Sequence, residues 1–501
     1  MKRFLRATSI FLLLASSACS NKEGGFHGLT ARHPSSLGKP DLAWAPAPLA
    51  DFHQPNKGNI QWFRSVDTIV PLVVVTIRGQ SGARHLGVPL EFAELATRCL
   101  SRGGHGAWGE APARTSAKVQ DWLDTHGASL QFSVGEDTWS ISLDCHKDDL
   151  KEGLAMVSAM VSSSDRAIDD EFPAWKEGLV AGIQEKSETP AAMVKIQFNR
   201  LLYPGHRQGE FLDFQRASSL TCEGLKELSK KLFDPRNVQV LLQGDIHEDQ
   251  EPAIETMVAS WKPRQENEQA PGSLQPPAAP GLYIQDFKGK PDVRMMMGQR
   301  GVQIQPPQVS DDFMILGHVS RVLGVGFQSR LVREVRSNRS LTYSIHSNVG
   351  RSQWVPAPFA ITHSGHRADR SAELLTVLLD ELTQLNQLGI TEEERLESAD
   401  AAMSQLRADY GQRADTMAHY ADLMLQKMDV KDFSQGGQRL SSIPLDLINA
   451  RTKALINPSE LVIVMVGDKS KILEKPKKGP GIVELCAARG IVVRDIDSPY
   501  K

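Results

Sequence analysis

Apolar residues along this chain recur in two rhythms, short β-branched runs and helical stripes, and the two alternate in a regular order. The first run, 66–77 (VDTIVPLVVVTI), is suited to a buried strand. Across 92–100 the apolar Phe92, Leu95, Ala96, Cys99 and Leu100 share one helical face, which leaves Glu94, Thr97 and Arg98 elsewhere on the same helix. A second helix is predicted over 116–125, ending at His126-Gly127, and a hairpin over 129–143 turns at Gly135-Glu136-Asp137. Helical periodicity returns over 148–161 through Leu150, Leu154, Val157 and Met160, then over 171–185 and 191–203. A strand over 234–245, stopped by Gly244-Asp245, closes the block.

After 263–281, a Pro-, Gly- and Gln-rich linker, the pattern restarts. The stretch 457–468 (NPSELVIVMVGD) repeats 234–245 (DPRNVQVLLQGD) at a constant offset of 223 residues. Within the second block, helices are predicted over 312–323, 368–385 and 392–410, the last opened by a Thr391/Glu394 capping box, and strands over 341–349 and 359–363. Met295-Met296-Met297 reads as strand core, and 491–497 as an added edge strand. Two similar α+β modules joined by a flexible linker explain this order better than one large fold.

A formal net charge of −3 with both signs interspersed provides no basic stripe and argues against nucleic acid as the main partner. The five cysteines are scattered without C-x-x-C spacing, so neither a zinc ribbon nor a disulfide framework is expected. At the N-terminus, Lys2, Arg3 and Arg6 precede the apolar run 10–15 and the small residues Ser16, Ser17 and Ala18, which lead to Cys19. This is the layout of an export signal. It resembles a bacterial lipoprotein signal, with Ser16 where such signals usually carry leucine, and the resemblance implies a lipidated Cys19 followed by a tether over 20–45. The body is then expected to be exported and periplasmic, touching a membrane only through that anchor.

The segment 329–344 (SRLVREVRSNRSLTYS) reads as the end of an amphipathic helix, with Leu331, Val332 and Val335 on its stripe, then a polar turn and a strand opening at Leu341. Arg336 and Tyr343 stand seven residues apart across that turn. Taken alone they also fit an exposed helix-end arginine and a strand tyrosine packed in a core. His363 and His366 read as surface histidines near a turn, Cys145-His146 as incidental, and Gly324-Val325-Gly326 as a helix-end loop without a phosphate-binding continuation. No Gly-x-Ser-x-Gly hydrolase elbow is present.

Four features together resemble the pitrilysin/insulinase family of zinc metallopeptidases, over about residues 50–470: the segment 92–104, the segments 123–133 and 137–142, the paired strand-Gly-Asp endings, and 329–343. The resemblance implies an α+β fold of two homologous α/β-sandwich modules, mostly antiparallel sheet plus helices, forming a clamshell half-ring around a peptide chamber. It places an N-terminal peptidase-like domain at 46–262, the linker at 263–281, a C-terminal domain at 282–470 and a tail at 471–501.

The family's His-x-x-Glu-His motif, in which two histidines hold zinc and the glutamate activates water, aligns with Glu94, Thr97 and Arg98, none of which matches. The more distal glutamate ligand falls near Glu185. Glu94 and Arg98 instead have i, i+4 spacing for a helix ion pair. In the second half the family's arginine and tyrosine, which contact the substrate carbonyl and the tetrahedral intermediate, correspond to Arg336 and Tyr343. The resemblance therefore implies a non-catalytic subunit that binds no metal itself. A homologous zinc-binding peptidase subunit would be its partner and peptides their substrates. The alternative is a peptidase-like scaffold with no proteolytic role.

Overall fold

The protein, as a computed structural model, is described over residues 45–102, 116–163, 167–246, 250–261, 273–290 and 292–500. The export signal, Cys19 and nearly all of the tether lie outside these residues, as does the first part of the linker.

The first half carries strands β1 (His53–Lys57), β2 (Ile60–Val66), β3 (Leu72–Gln80), β4 (Ser129–Val134), β5 (Thr138–His146) and β6 (Val238–Gly244). They form one sheet in the order β1-β2-β6-β3-β5-β4. The second sheet contains β7 (Gly281–Asp286), β8 (Asp292–Arg300), β9 (Ile345–Val349), β10 (Pro358–His363), the short β11 (His366–Arg367), β12 (Val462–Gly467) and β13 (Val493–Asp495). Its order is β13-β7-β12-β8-β10-β9, with β11 on β8. The repeat visible in the sequence is thus a repeat of topology: β2 and β6 run parallel, as do β7 and β12, and the rest of each shared path is antiparallel. The predicted edge strand in the tail is β13, parallel to β7.

The helices used below are α1 (Leu90–Arg102), α2 (Phe172–Ser187), α3 (Pro190–Leu202), α4 (Asp311–Gly324), α5 (Ser371–Leu388), α6 (Glu392–Asp409), α7 (Arg413–Leu425) and α8 (Lys431–Ser442). Each sheet buries one face against helices of its own half, the first on Ala93, Leu95, Ala96, Cys99 and Leu100 of α1, the second on Ile315, Val319 and Leu323 of α4. The opposite faces are covered crosswise. Met193, Val194, Phe198 and Leu202 of α3 pack on Tyr283, Met296, Val462 and Val464 of the second sheet. Helix α7, at the repeat position of α3, lies on β2 and β6 of the first. There Arg78, Gln80 and Gln239 donate to its carbonyls at Ala418, Leu425 and Ala421. Covering both faces explains why β12 is apolar without alternation.

Several sequence expectations change. The run 66–77 is not one strand, because β2 ends at Val66 and β3 starts at Leu72. Pro71 cannot donate to a ladder, and Asp67 closes a local turn by accepting the Ile69 N–H at 3.0 Å. Ile69 and Val70 are consequently exposed. His363 and His366 are buried rather than superficial, 8% and 3% exposed, since the two-stranded return onto β8 folds them inward. The described end of the linker, 273–280, is held by Arg300 through Gln275 O (2.6 Å) and by Ala278 N donating to Leu201 O (2.7 Å).

Candidate functional site

Arg336 sits in a π-helical segment, Val332–Ser337, that continues directly from helical Arg330 and Leu331. The wide turn is closed by Asn338 N donating to Arg333 O (2.9 Å), Ser340 N to Arg336 O (3.1 Å) and Leu341 N to Val335 O (2.9 Å). Ser340 adopts φ +50°, a left-handed conformation that costs a non-glycine residue about 1 kcal/mol. Such local irregularities concentrate at functional segments. Strand β9 begins at Ile345, not at Leu341. The reason is that the intervening residues are fixed by side chains rather than by a ladder: Thr342 Oγ1 donates to Gly365 O (2.7 Å) and Ser344 N to Ser364 Oγ (3.1 Å). With Leu341, Thr342 and Ile345 turned inward, Tyr343 projects outward, 79% exposed. The reading of Tyr343 as a core tyrosine is therefore overturned.

The structure brings the predicted pair together. The Arg336 guanidinium lies 4.9 Å from the Tyr343 ring centre and 5.4 Å from that of Phe327, so it is in cation–π contact with two exposed aromatic rings. Phe327 was not singled out in the sequence. Its only signal was an aromatic residue immediately after the Gly324-Val325-Gly326 turn, where no periodicity asks for one. Neighbouring cations are neutralised: Arg330 pairs with Glu394 at 2.7 Å and Arg339 with Glu334. Arg336 has no carboxylate within ion-pair distance among the described residues. A guanidinium held against aromatic rings keeps its N–H donors available to an incoming oxygen, and the phenol beside it adds an O–H donor.

The first-half positions form a different environment. Glu94, Thr97 and Arg98 lie on α1, but no ion pair joins Glu94 to Arg98. Thr97 Oγ1 instead donates to Glu94 O at 2.7 Å within the helix. Helix α2 runs alongside and inserts a cation, Lys186, which pairs with Glu91 at 3.1 Å. Partial burial and then the Glu91 carboxylate raise the Glu94 pKa, with Lys186 and Arg98 acting against them. Glu185 is exposed at the end of α2, and its carbonyl accepts from Thr189 Oγ1.

A cavity of about 450 Å³ opens at this place, lined by Glu91, Glu94, Lys186, Arg207 and Tyr500 among others. Tyr500 enters from the tail and stacks edge-on against Phe211 (5.2 Å) and Phe214 (5.7 Å). A threonine hydroxyl committed to its own helix, an arginine and a lysine do not form a zinc donor set. No group of three or more His, Cys, Asp or Glu placed to hold a metal occurs among the described residues. Arg336 and Tyr343 make no hydrogen bond or ion pair to Glu94, Thr97 or Arg98, so the structure shows two separate loci.

Residues 219–402 match the family model described as the peptidase M16 inactive domain. An uncharacterized zinc protease of Streptomyces coelicolor is 24% identical over 189 residues, covering 35% of this chain and 38% of that protein. The chain thus aligns with well under half the length of that curated relative. Among solved structures, a peptidase M16 inactive domain from Pseudomonas fluorescens superposes with a TM-score of 0.68 at 18% identity, covering 85% of this chain and 99% of that one. The periplasmic protease PqqL from Escherichia coli superposes with a TM-score of 0.64 at 14% identity, covering 91% of this chain but 50% of that longer one. Residues 219–402 are thus similar to the peptidase M16 inactive domain, the chain as a whole has the fold of M16 peptidase-like structures, and its first half carries Glu94, Thr97 and Arg98 where the pitrilysin/insulinase pattern has its zinc motif.

Proposed function

We propose that this protein is the non-catalytic subunit of an M16-type zinc endopeptidase of the cell envelope. In this reading a homologous partner holds the metal, and Arg336 and Tyr343 reach the peptide in the partner's active site. The observation that carries it is the exposed Phe327–Arg336–Tyr343 cluster, whose guanidinium has no carboxylate partner among the described residues. A cation left uncompensated beside an exposed phenol suits a peptide carbonyl and the oxyanion that develops from it. Two further facts support the reading: α1 carries no histidine, and the chain aligns with half of the longer periplasmic protease PqqL. Arg336 would orient the carbonyl and Tyr343 would donate to the oxygen as charge accumulates. No step is assigned to the cavity at Glu94.

The test is reconstitution with a zinc-binding homologue from the same organism, sought first in the reading frames beside this gene. The chain alone is expected to be inert on unfolded peptides, and the pair active. Tyr343→Phe should lower kcat by about 10²–10³ with assembly intact, the usual effect of losing one oxyanion donor. Full activity of that variant sinks the assignment. Absence of peptidolysis in every mixture would favour the scaffold reading instead. Export and lipidation at Cys19 belong to the same proposal. Metabolic labelling with a fatty acid should mark the wild type and not Cys19→Ala.

A further inference from the structure

The internal repeat leads to a second site. The 223-residue offset that relates the two strand-Gly-Asp endings carries Glu94 onto Gly317, Arg98 onto Arg321 and Lys186 onto Asp409. Glu94 and Lys186 line the first-half cavity, and Gly317, Arg321 and Asp409 line another, of about 370 Å³, between α4, α6, α7 and α8. The second half thus keeps a cavity at the repeat position of the degenerate centre, with different chemistry in it.

Its wall is aromatic and apolar. The rings of Tyr410, His419 and Phe433 lie 4.3–4.8 Å apart, and Phe313, Met403 and Leu423 complete the surface. Burial holds the His419 pKa down at about 4, so that ring is neutral. His318 is satisfied and takes no part, with Nδ1 at 3.0 Å from Ser398 Oγ and Nε2 at 2.9 Å from Leu440 O.

Two cations line the same cavity: Arg321, whose pKa burial lowers, and Arg351, whose guanidinium lies 6.0 Å from the Phe313 ring centre. Neither has a carboxylate within ion-pair distance among the described residues. Of the two acids present, Asp432 is neutralised by Arg439 at 3.2 Å and by the Val309 N–H at 2.7 Å, whereas Asp409 accepts only from Gln405 Nε2 at 2.6 Å. Two guanidinium groups therefore face one free carboxylate. Arg321 is half-buried, and a partly desolvated cation without a counter-ion is costly, a cost that a bound anion removes; Arg351 is exposed at the rim and adds charge to the mouth.

We propose that this cavity binds a small organic carboxylate carried on an aromatic or branched aliphatic body, with Arg321 and Arg351 taking the anion and the Tyr410–His419–Phe433 wall taking the apolar part. The volume lies in the range of small-molecule pockets, roughly 300–1,000 Å³. The inference does not depend on the proposed peptidase role.

Calorimetric titration of the full chain with N-acetylphenylalanine and its neutral carboxamide separates charge from shape. The acid should bind at least about tenfold more tightly than the amide, as a charge-assisted contact requires. Arg321→Met and Arg351→Met should each weaken the acid by about tenfold or more and leave the amide unchanged. Gly317→Leu should abolish both, because a Cβ on Gly317 meets open space and the added side chain fills the cavity without disturbing α4. Melting curves of the three variants confirm folding. The proposal is overturned if acid and amide bind alike, if none of the variants alters binding, or if neither ligand binds up to on the order of 10 mM.

Discussion

At the residue scale, the environment of a side chain here depends on which neighbours its backbone anchors leave it. Arg336 and Tyr343 are neighbours in space because Ser340 and Leu341 close the π-helical turn and Thr342 and Ser344 hold the chain on either side of Tyr343. His363 and His366 show the opposite outcome. Their rings are 4.9 Å apart and buried, His363 Nδ1 accepts the Gly365 N–H at 2.8 Å, and His366 Nε2 contacts Ser371 Oγ at 2.8 Å. Burial lowers His366 to about 3 and His363 well below the usual imidazole range, the latter helped by His366, Arg294 and His346. Both are neutral when folded and titrate near pH 6.5 when unfolded. The unfolded chain therefore binds more protons below that value, so their contribution to stability is complete above about pH 6.5 and is lost as the pH falls through it toward the folded values. Unfolding free energies from urea titrations at pH 7 to pH 5 should fall with a slope of up to about 1.4 kcal/mol per pH unit for each histidine. A His366→Asn variant should have a flatter acid arm, and an unchanged slope would contradict neutral burial.

At the element scale, the hairpin of β4 and β5 supports the approach to α1. Ala83 N and Arg84 N donate to the Gly135 and Glu136 carbonyls at 2.9 and 2.8 Å, and Arg84 pairs with Asp137 at 2.7 Å. A Cβ on Gly82 would collide with the backbone of Gly135, Glu136 and Asp137. Gly82→Ala is expected to destabilise by about 1–3 kcal/mol, the usual cost of overpacking, and chemical denaturation would show no change if this contact were slack. Helix α3 makes a larger contribution because it covers the sheet of the other half. Phe198 is fully buried there, so Phe198→Ala should cost about 3–5 kcal/mol, readable from the same denaturation curves.

At the scale of the whole molecule, that crossing of α3 and α7 decides how the halves behave. Tyr203 Oη donates to Pro356 O at 2.8 Å, Arg300 Nε to Leu202 O at 2.7 Å, and buried Gln197 to Gln285 at 2.8 Å and to Asp497 O at 2.7 Å. Residues 46–501 form one compact unit. Neither sheet can lose its covering helix without exposing apolar strands such as β12, so the unit should melt in a single calorimetric transition. Two separated transitions would show that the crossing contacts are weak.

The sequence by itself determined what depends on near neighbours: the helical stripe of α1, the hairpin turn at Gly135-Glu136-Asp137, the Thr391/Glu394 capping box and the repeated strand endings, all seen in the structure. These are legible because periodicity, caps and turns act within a few residues. The replacement of the zinc motif was likewise legible from Glu94, Thr97 and Arg98. Only the tertiary structure decided that Lys186 approaches that helix, that Phe327 completes the cluster around Arg336, that the His363/His366 pair is buried, and that each sheet borrows a helix from the other half. Each of those results depends on contacts between elements, where burial and the available partners set a residue's environment and local pattern carries no information about them.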